Sequence, residues 1–402
     1  MPSIKLKDAQ GNVQTYENVS VIKVKDVDNN DVNFNVALSP NIVVFRDIDN
    51  NDYAIMSSKA GKSVQAPQEP ARAGYIFRGW SLVSHEFILE NKVSFPAVFN
   101  EPTTLYAMWE QKLTSGQAQI TGLGNEVIST VLFNISDDFP TGYTEVTDDN
   151  NDVWLEIPTC YRKVLTTANG QITGKIISFT KVDDSYVPYS VFVKPNGQVM
   201  PYVRIGKYCM TESDRASSKN GTVKTYTIGA ARTLAQDRGT GYQLYDWQFR
   251  ELFNDLAMAN LRTVDINQTT IIGITNWNNN IWVDGFCHDG TKYLVAYDPS
   301  KYVDSPTSAT VGYSELAYAA PTGNSQYIKK LGYDSNHPFA LFPVEVGGGA
   351  GTYYPDYYYY SAGNHPVYCI VGSAAAFFGL FNFNGTNAWS SASACRLCYR
   401  PI

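Results

Sequence analysis

Between residues 3 and 38 apolar and polar side chains alternate in short runs, and turn-forming residues break the runs apart. Ile4-Lys5-Leu6, Val19-Ser20-Val21-Ile22-Lys23-Val24 and Val32-Asn33-Phe34-Asn35-Val36 are such runs; Gln10-Gly11-Asn12 and Asp28-Asn29-Asn30-Asp31 lie between them. Period two with β-branched residues is the pattern of strands, and Asn, Asp and Gly supply the turns. A helical period is found in two places only. One helix is expected to begin at Ala230-Ala231-Arg232-Thr233-Leu234-Ala235. The other spans Leu244 to Met258, where Tyr245, Phe249, Leu252 and Leu256 recur at spacings of three and four. After residue 265 the chain returns to short strands and loops rich in Gly, Asn, Ser and Tyr. The expected class is multidomain and mainly β, with an α+β part.

A chain of 402 residues is long enough for several domains. Residues 1–40 form an N-terminal β segment of hairpins, too short to bury much core alone. It is expected to pair with a neighbouring copy or to attach to a larger partner. Residues 41–112 form a second module, opened by the strand Ile42-Val43-Val44-Phe45. The stretch 111–120 is polar and reads as a linker, so 113–149 is taken as linker and opening strands. Residues 150–402 read as one large domain, opening at Val153-Trp154-Leu155-Glu156-Ile157-Pro158 and continuing through strands at 175–182 and 190–194.

Charged residues make up 17% of the chain, against roughly 25% in ordinary domains, while aromatics reach 13% and include 28 Tyr. The surface must therefore be dressed with neutral polar groups. The net charge is −7 and no Lys/Arg cluster occurs. The electrostatic footprint of nucleic-acid binding is missing, and no nucleic-acid partner is expected. No run of eighteen apolar residues occurs, so no membrane insertion is expected. The opening Met1-Pro2-Ser3-Ile4-Lys5-Leu6-Lys7 has no apolar signal core. The chain is expected to be made in a cytoplasm and to reach the outside by lysis, as part of a particle. The six Cys are irregularly spaced over 240 residues, which suits buried thiols rather than a disulfide framework.

Two segments carry family resemblances. Ala73-Gly74-Tyr75-Ile76-Phe77-Arg78-Gly79-Trp80 with Thr103-Thr104-Leu105-Tyr106-Ala107-Met108-Trp109 resembles the Listeria–Bacteroides repeat, a small β-grasp-like module of bacterial surface proteins. On the residues alone, Tyr75, Phe77, Trp80, Tyr106 and Trp109 offer large aromatic burial to a module too small for an aliphatic core. In the last domain, Gly241-Tyr242-Gln243-Leu244-Tyr245-Asp246-Trp247 stands where formylglycine-generating-enzyme-like proteins turn into a helix. The ending Gly379-Leu380-Phe381, Asn387-Ala388-Trp389-Ser390 and Arg396-Leu397-Cys398-Tyr399-Arg400-Pro401 is similar to the close of that superfamily. It is most similar to the variable proteins of diversity-generating retroelements. The resemblance implies a C-type-lectin-like fold over residues 150–402 and a ligand-binding face on its last strands and loops.

The positions matching that face are Tyr357, Tyr358, Tyr359 and Tyr360, preceded by Tyr353 and Tyr354, then Asn364, His365, Asn382, Asn384, Asn387 and Trp389. Tyr gives wide amphipathic contact at low entropy cost, and Asn gives adaptable hydrogen bonds. Four consecutive Tyr in a strand cannot all point inward, since alternate side chains face opposite ways. Part of the run is then exposed or covered by another subunit. Phe377, Phe378 and Phe381 read better as core or subunit interface.

Catalytic patterns were sought and set aside. Cys395 and Cys398 invite comparison with the cysteine pair of formylglycine-generating enzymes, but three residues apart on one strand they face opposite sides. His85, His288, His337 and His365 fall in no HExxH, and no Gly-x-Ser-x-Gly elbow occurs. His288, in Cys287-His288-Asp289-Gly290, is expected in a surface turn. Three acidic turns, at residues 26–31, 47–52 and 148–152, are oxygen-rich, and such loops can hold Ca²⁺. The Gly and Glu that complete an EF-hand are missing and hairpin turns explain the pattern equally well. No cofactor or metal is expected.

These readings converge on a non-catalytic fibre or spike of a bacteriophage, on tail or head, located in the virion. The N-terminal segment would hold other virion proteins and the C-terminal domain a host-surface glycan or protein. A homotrimer is expected, because multivalency strengthens a weak site. The alternatives are a bacterial surface or secreted adhesin built from the same modules, and an oxidase of the formylglycine-generating type.

Overall fold

The structure, a computed structural model, describes 42–47, 50–57, 62–83, 92–123, 131–166, 172–263, 270–277, 281–321, 327–347, 349 and 392–401, except the side chain of 111. It gives backbone alone for 41, 58, 280 and 326 and for the strands at 3–7, 13–17, 21–25, 31–35, 357–360, 365–366, 369–370 and 382–383. Two α-helices stand against thirty-four strands, many of two or three residues, among the described residues. The class is mainly β. No described helix is long and apolar enough to cross a membrane. The chain divides into two compact units, Met1–Lys112 and Leu113–Ile402.

The first unit opens with two antiparallel hairpins, Ser3–Lys7 with Val13–Glu17 and Val21–Lys25 with Asp31–Asn35. A four-stranded sheet follows, in the order Asp52–Ser58, Asn41–Arg46, Thr103–Gln111, Tyr75–Ser81. Its central pair is parallel and its outer pairs antiparallel. The turn after Asn41–Arg46 is held by Asp47, whose carboxylate accepts from the Asn51 N–H at 2.8 Å, with Asn50 in the left-handed region. Asn tolerates that conformation better than other non-glycine residues.

Val43, Phe45, Val64, Trp80, Leu105 and Ala107 form the core of this unit. Trp80 meets Phe45 edge-on at 4.9 Å and Phe77 at 5.2 Å, and Phe77 meets Trp109 at 5.5 Å. Two of the expected aromatics are not in the cluster. In Thr103–Gln111 the inward positions are Leu105, Ala107 and Trp109, so Tyr106 falls on the other face. Tyr75 is half-buried beneath the Arg72 guanidinium, 4.1 Å above its ring.

The second unit contains two five-stranded antiparallel sheets. One runs Leu132–Ile135, Gln117–Thr121, Ile172–Ser178, Tyr161–Thr166, Val187–Pro188. The other runs Thr144–Thr147, Val153–Pro158, Tyr202–Gly206, Leu397–Tyr399, Tyr242–Leu244. Three sequence readings are corrected here. Gln117–Thr121 is an interior strand rather than linker. Its polar residue Gln117 is buried, donating to Ser178 Oγ and Tyr186 Oη. Ser190–Phe192 is a turn of 3-10 helix rather than strand. The strand expected at 175–182 is Ile172–Ser178.

The two helices are α1, Ile228–Gln236, and α2, Trp247–Leu261. Thr227 caps α1 by accepting from the Ala230 N–H. Asp246 caps α2, accepting from the Gln248 and Phe249 N–H groups at 3.0 and 2.9 Å. Leu244 and Tyr245, expected inside α2, precede that cap: Leu244 ends a strand, and the Tyr245 N–H donates to Arg396 O. Phe249, Leu252 and Leu256 are fully buried as the period requires. Two acidic residues of α2, Glu251 and Asp255, are buried too, because they meet basic groups of the first sheet. Asp255 accepts from Arg162 at 3.1 Å, Lys175 at 2.6 Å and Tyr189 Oη at 2.8 Å, and Glu251 accepts from Arg162 at 3.3 Å. Burial alone would raise the Asp255 carboxyl, but Lys175 and Arg162 hold it below the usual carboxylate range.

Candidate functional site

Tyr357–Tyr360 is a strand in a four-stranded sheet ordered Pro343–Val346, Gln326–Leu331, Tyr357–Tyr360, Asn382–Phe383. It pairs antiparallel with Gln326 and Tyr327 on one side and parallel with Asn382 and Phe383 on the other. Tyr357 and Tyr358 are paired on one side of the strand and Tyr359 and Tyr360 on the other. Tyr357, Tyr358, Tyr359, Tyr360 and Asn382 are brought together by backbone pairing. His365 belongs to a different sheet, where its backbone lies opposite His288. Asn364, Asn384, Asn387 and Trp389 lie outside the described residues, as do Tyr353, Tyr354, Phe377, Phe378 and Phe381.

Of the other groups singled out in the sequence, His85 and residues 26–30 lie outside the described residues. Cys395 and Cys398 do not share a strand: Cys395 follows Ser393–Ala394, and Cys398 sits in Leu397–Tyr399 of another sheet. They fall in separate core clusters, and burial pushes both thiols well above the ordinary thiol range. A neutral thiol is a poor nucleophile. His288 is not in a surface turn. It is buried in the strand Phe286–His288, its Nδ1 accepts from the Gly290 N–H at 2.9 Å, and Asp289 holds the turn beyond it. In the turn at 148–152, Asp148 and Asp152 both accept from Arg238, and Asp152 also from Arg215 and the Ser218 N–H. Those carboxylates are committed to arginine and backbone rather than pointed at a common centre. Among the described residues no group of His, Cys, Asp and Glu is arranged to hold a metal ion.

A concave site that the sequence did not reveal lies where α1, the strand Tyr242–Leu244, the segments 193–200 and 297–302 and Arg400 converge. It is a cavity of about 570 Å³. Gly241 makes the convergence possible. Its φ is +90°, and a Cβ there would stand 2.4 Å from the Arg400 carbonyl oxygen. That close approach lets Tyr242–Leu244 pair with Leu397–Tyr399. The floor is a locked polar layer. Asp246 accepts from Gln243 at 2.7 Å, from Tyr302 Oη at 2.8 Å and from Arg400. Arg232 grips Asp284 through two bonds of 2.8 and 3.0 Å and reaches Asp304 at 2.6 Å. Burial works against the Arg232 charge, but Asp284 and Asp304 more than offset it and its pKa is raised. Above this floor Val193, Pro195, Met200, Tyr242, Tyr297 and Pro299 supply carbon surface.

A second cavity of about 440 Å³ adjoins the first and shares Val193, Lys194, Pro195, Tyr297 and Asp298 with it. Tyr297 is fixed at this divide. Its Oη lies 2.9 Å from His337 Nδ1, its ring stacks on the imidazole, and its other edge meets Trp247. Burial pushes His337 below the ordinary imidazole range. The sequence signal that could have located this site is the Gly239-Thr240-Gly241 break between helix and strand, both glycines having positive φ. Compared with known proteins, the chain matches no family model and no curated protein.

Proposed function

We propose that this chain is a non-catalytic virion fibre or spike protein of a bacteriophage, on tail or head, that binds the host cell surface through its C-terminal unit. The observation that carries the reading is the position of the last strand. Leu397–Tyr399 is inserted between Tyr202–Gly206 and Tyr242–Leu244, so the chain's end closes onto the strands that precede the helices. Strands, two helices and a returning final strand are the order expected of a C-type-lectin-like domain. A stiff base of this kind lets the segment before it carry recognition without a catalytic centre. Burial of Cys395 and Cys398 in separate clusters supports the non-catalytic reading. In the first unit, a mixed sheet with a parallel central pair supports the β-grasp-like module as a spacer. The hairpins before it suit attachment to other virion proteins in a homotrimer.

The test is cell binding by the full chain, with Tyr357, Tyr358, Tyr359 and Tyr360 all changed to Ala. Binding is expected to fall at least tenfold while the circular dichroism spectrum is retained. Unchanged binding would overturn the assignment of the face.

A further inference from the structure

We infer that the paired cavity beside α1 is a second binding site, for an uncharged oligosaccharide of at least two rings. The inference rests on the surface-recognition reading above but uses none of the residues of the tyrosine strand.

The size suits it. Ligand clefts commonly fall between about 300 and 1,000 Å³, and each lobe is within that range. Two lobes joined at one divide fit a chain with a unit in each. The charge balance selects the class. Arg232 and Arg400 are paired with three carboxylates, Asp284, Asp304 and Asp246, so neither guanidinium is free to hold an anionic ligand. What remains at the divide is one cation and one anion, Lys194 and Asp298, both common to the two lobes. A polyanion would meet Asp298 and a polycation Lys194, whereas a neutral diol is served by both: the ammonium donates to one hydroxyl and the carboxylate accepts from another.

Asp298 lines both lobes. One of its oxygens caps the short helix Pro299–Lys301 by accepting from the Ser300 N–H at 2.9 Å, which leaves the other for a ligand. Tyr242 and Tyr297 add aromatic carbon to the walls. Gln236, Thr240 and Ser300 in one lobe and Asn336 in the other supply neutral hydrogen-bonding groups. The locked layer beneath keeps these walls in place without a ligand, so little ordering entropy is lost on binding.

The test is calorimetric titration of the full chain with a panel of neutral oligosaccharides, matched uronic-acid-containing oligosaccharides and proline-rich peptides. Ser300→Trp is used to fill one lobe, Asn336→Trp the other, and Lys194→Ala to remove the donor. At least one neutral oligosaccharide is expected to bind, and each of the three variants to weaken it at least tenfold. The quadruple tyrosine variant should leave it within twofold. If the tryptophan variants bind the oligosaccharide as the parent does, the cleft is not the site. Should acidic oligosaccharides or peptides alone bind in a plug-sensitive way, the ligand class is wrong. If nothing on the panel binds, the inference falls, and loss of cell binding in the tyrosine variant would still stand on its own. Lys194 is a half-buried side chain with no salt bridge among the described residues, so its replacement tests the site even if a tryptophan variant misfolds.

Discussion

The two units solve the problem of burial differently. Among the described residues, the first has a core cluster of six buried residues, with Phe45, Phe77, Trp80 and Trp109 meeting edge to face. Its salt bridges among the described residues, Arg46–Asp52 and Arg78–Glu110, lie at the surface. The second unit buries charge. Arg162, Lys175, Glu251 and Asp255 lie between sheet and α2, and Arg232, Asp284, Asp246 and Arg400 lie under the cavity. A small module has no volume in which to desolvate ions, so it gains area with rings. A larger one can enclose ion pairs, which are poor sources of net stability but costly to break singly. They hold long loops in one arrangement, which is what a binding surface needs.

Three experiments would break or sharpen this contrast. The largest effect is expected from Asp255→Ala. It strands the buried Lys175 ammonium and the Tyr189 hydroxyl and leaves Arg162 with Glu251 as its one carboxylate partner, and it should destabilise the second unit by about 3–5 kcal/mol. Denaturant unfolding followed by fluorescence would measure it, and a loss below about 1 kcal/mol would show that the buried network is not what holds α2 to the sheet. Trp80→Phe should cost the first unit less, about 1–2 kcal/mol, and leave the second unit's transition in place. Packing is what is lost, since Trp80 Nε1 has no hydrogen-bond partner among the described residues.

The smallest effect is expected from mild acid. The folded pKa of Asp255 lies below its unfolded value, near 3.9 in a free chain. Its contribution to stability is therefore present above that unfolded value and is lost as pH falls through the folded one. Between about pH 7 and 5 the second unit's melting temperature should be insensitive to this group; below about pH 4 it should drop more steeply than the first unit's. Parallel decline of both transitions would argue that surface charge, not the buried network, sets the acid limit.

Much of the β character could be read from the chain because alternation is a relation between residues two apart. The hairpins at 3–35, the strand at 41–46 and the ring-filled core around Trp80 follow from it, as does α2 from its three- and four-residue spacing. The misreadings have one physical origin. Gln117 looks like linker because its composition is polar; it is a buried strand residue because Ser178 and Tyr186, sixty or more positions away, satisfy it. His288 looks like a turn residue until the strands Lys292–Ala296 and His365–Pro366 cover it from either side. Tyr106 looks like core because it is aromatic, and its place in the alternation puts it on the other face.

Local spacing thus marked the hairpins at 3–35, the strand at 41–46, the body of α2 and three of the rings, Phe77, Trp80 and Trp109, that pack in the small core. The pairing of Arg162 with Asp255, 93 residues on, and of Arg400 with Asp246, 154 residues back, was decided only when the sheets and helices packed. So was the cavity those pairs support. A carboxylate or guanidinium in a sequence carries no sign of its partner, because Coulomb attraction and desolvation depend on distance in space, and distance in space is set by the fold.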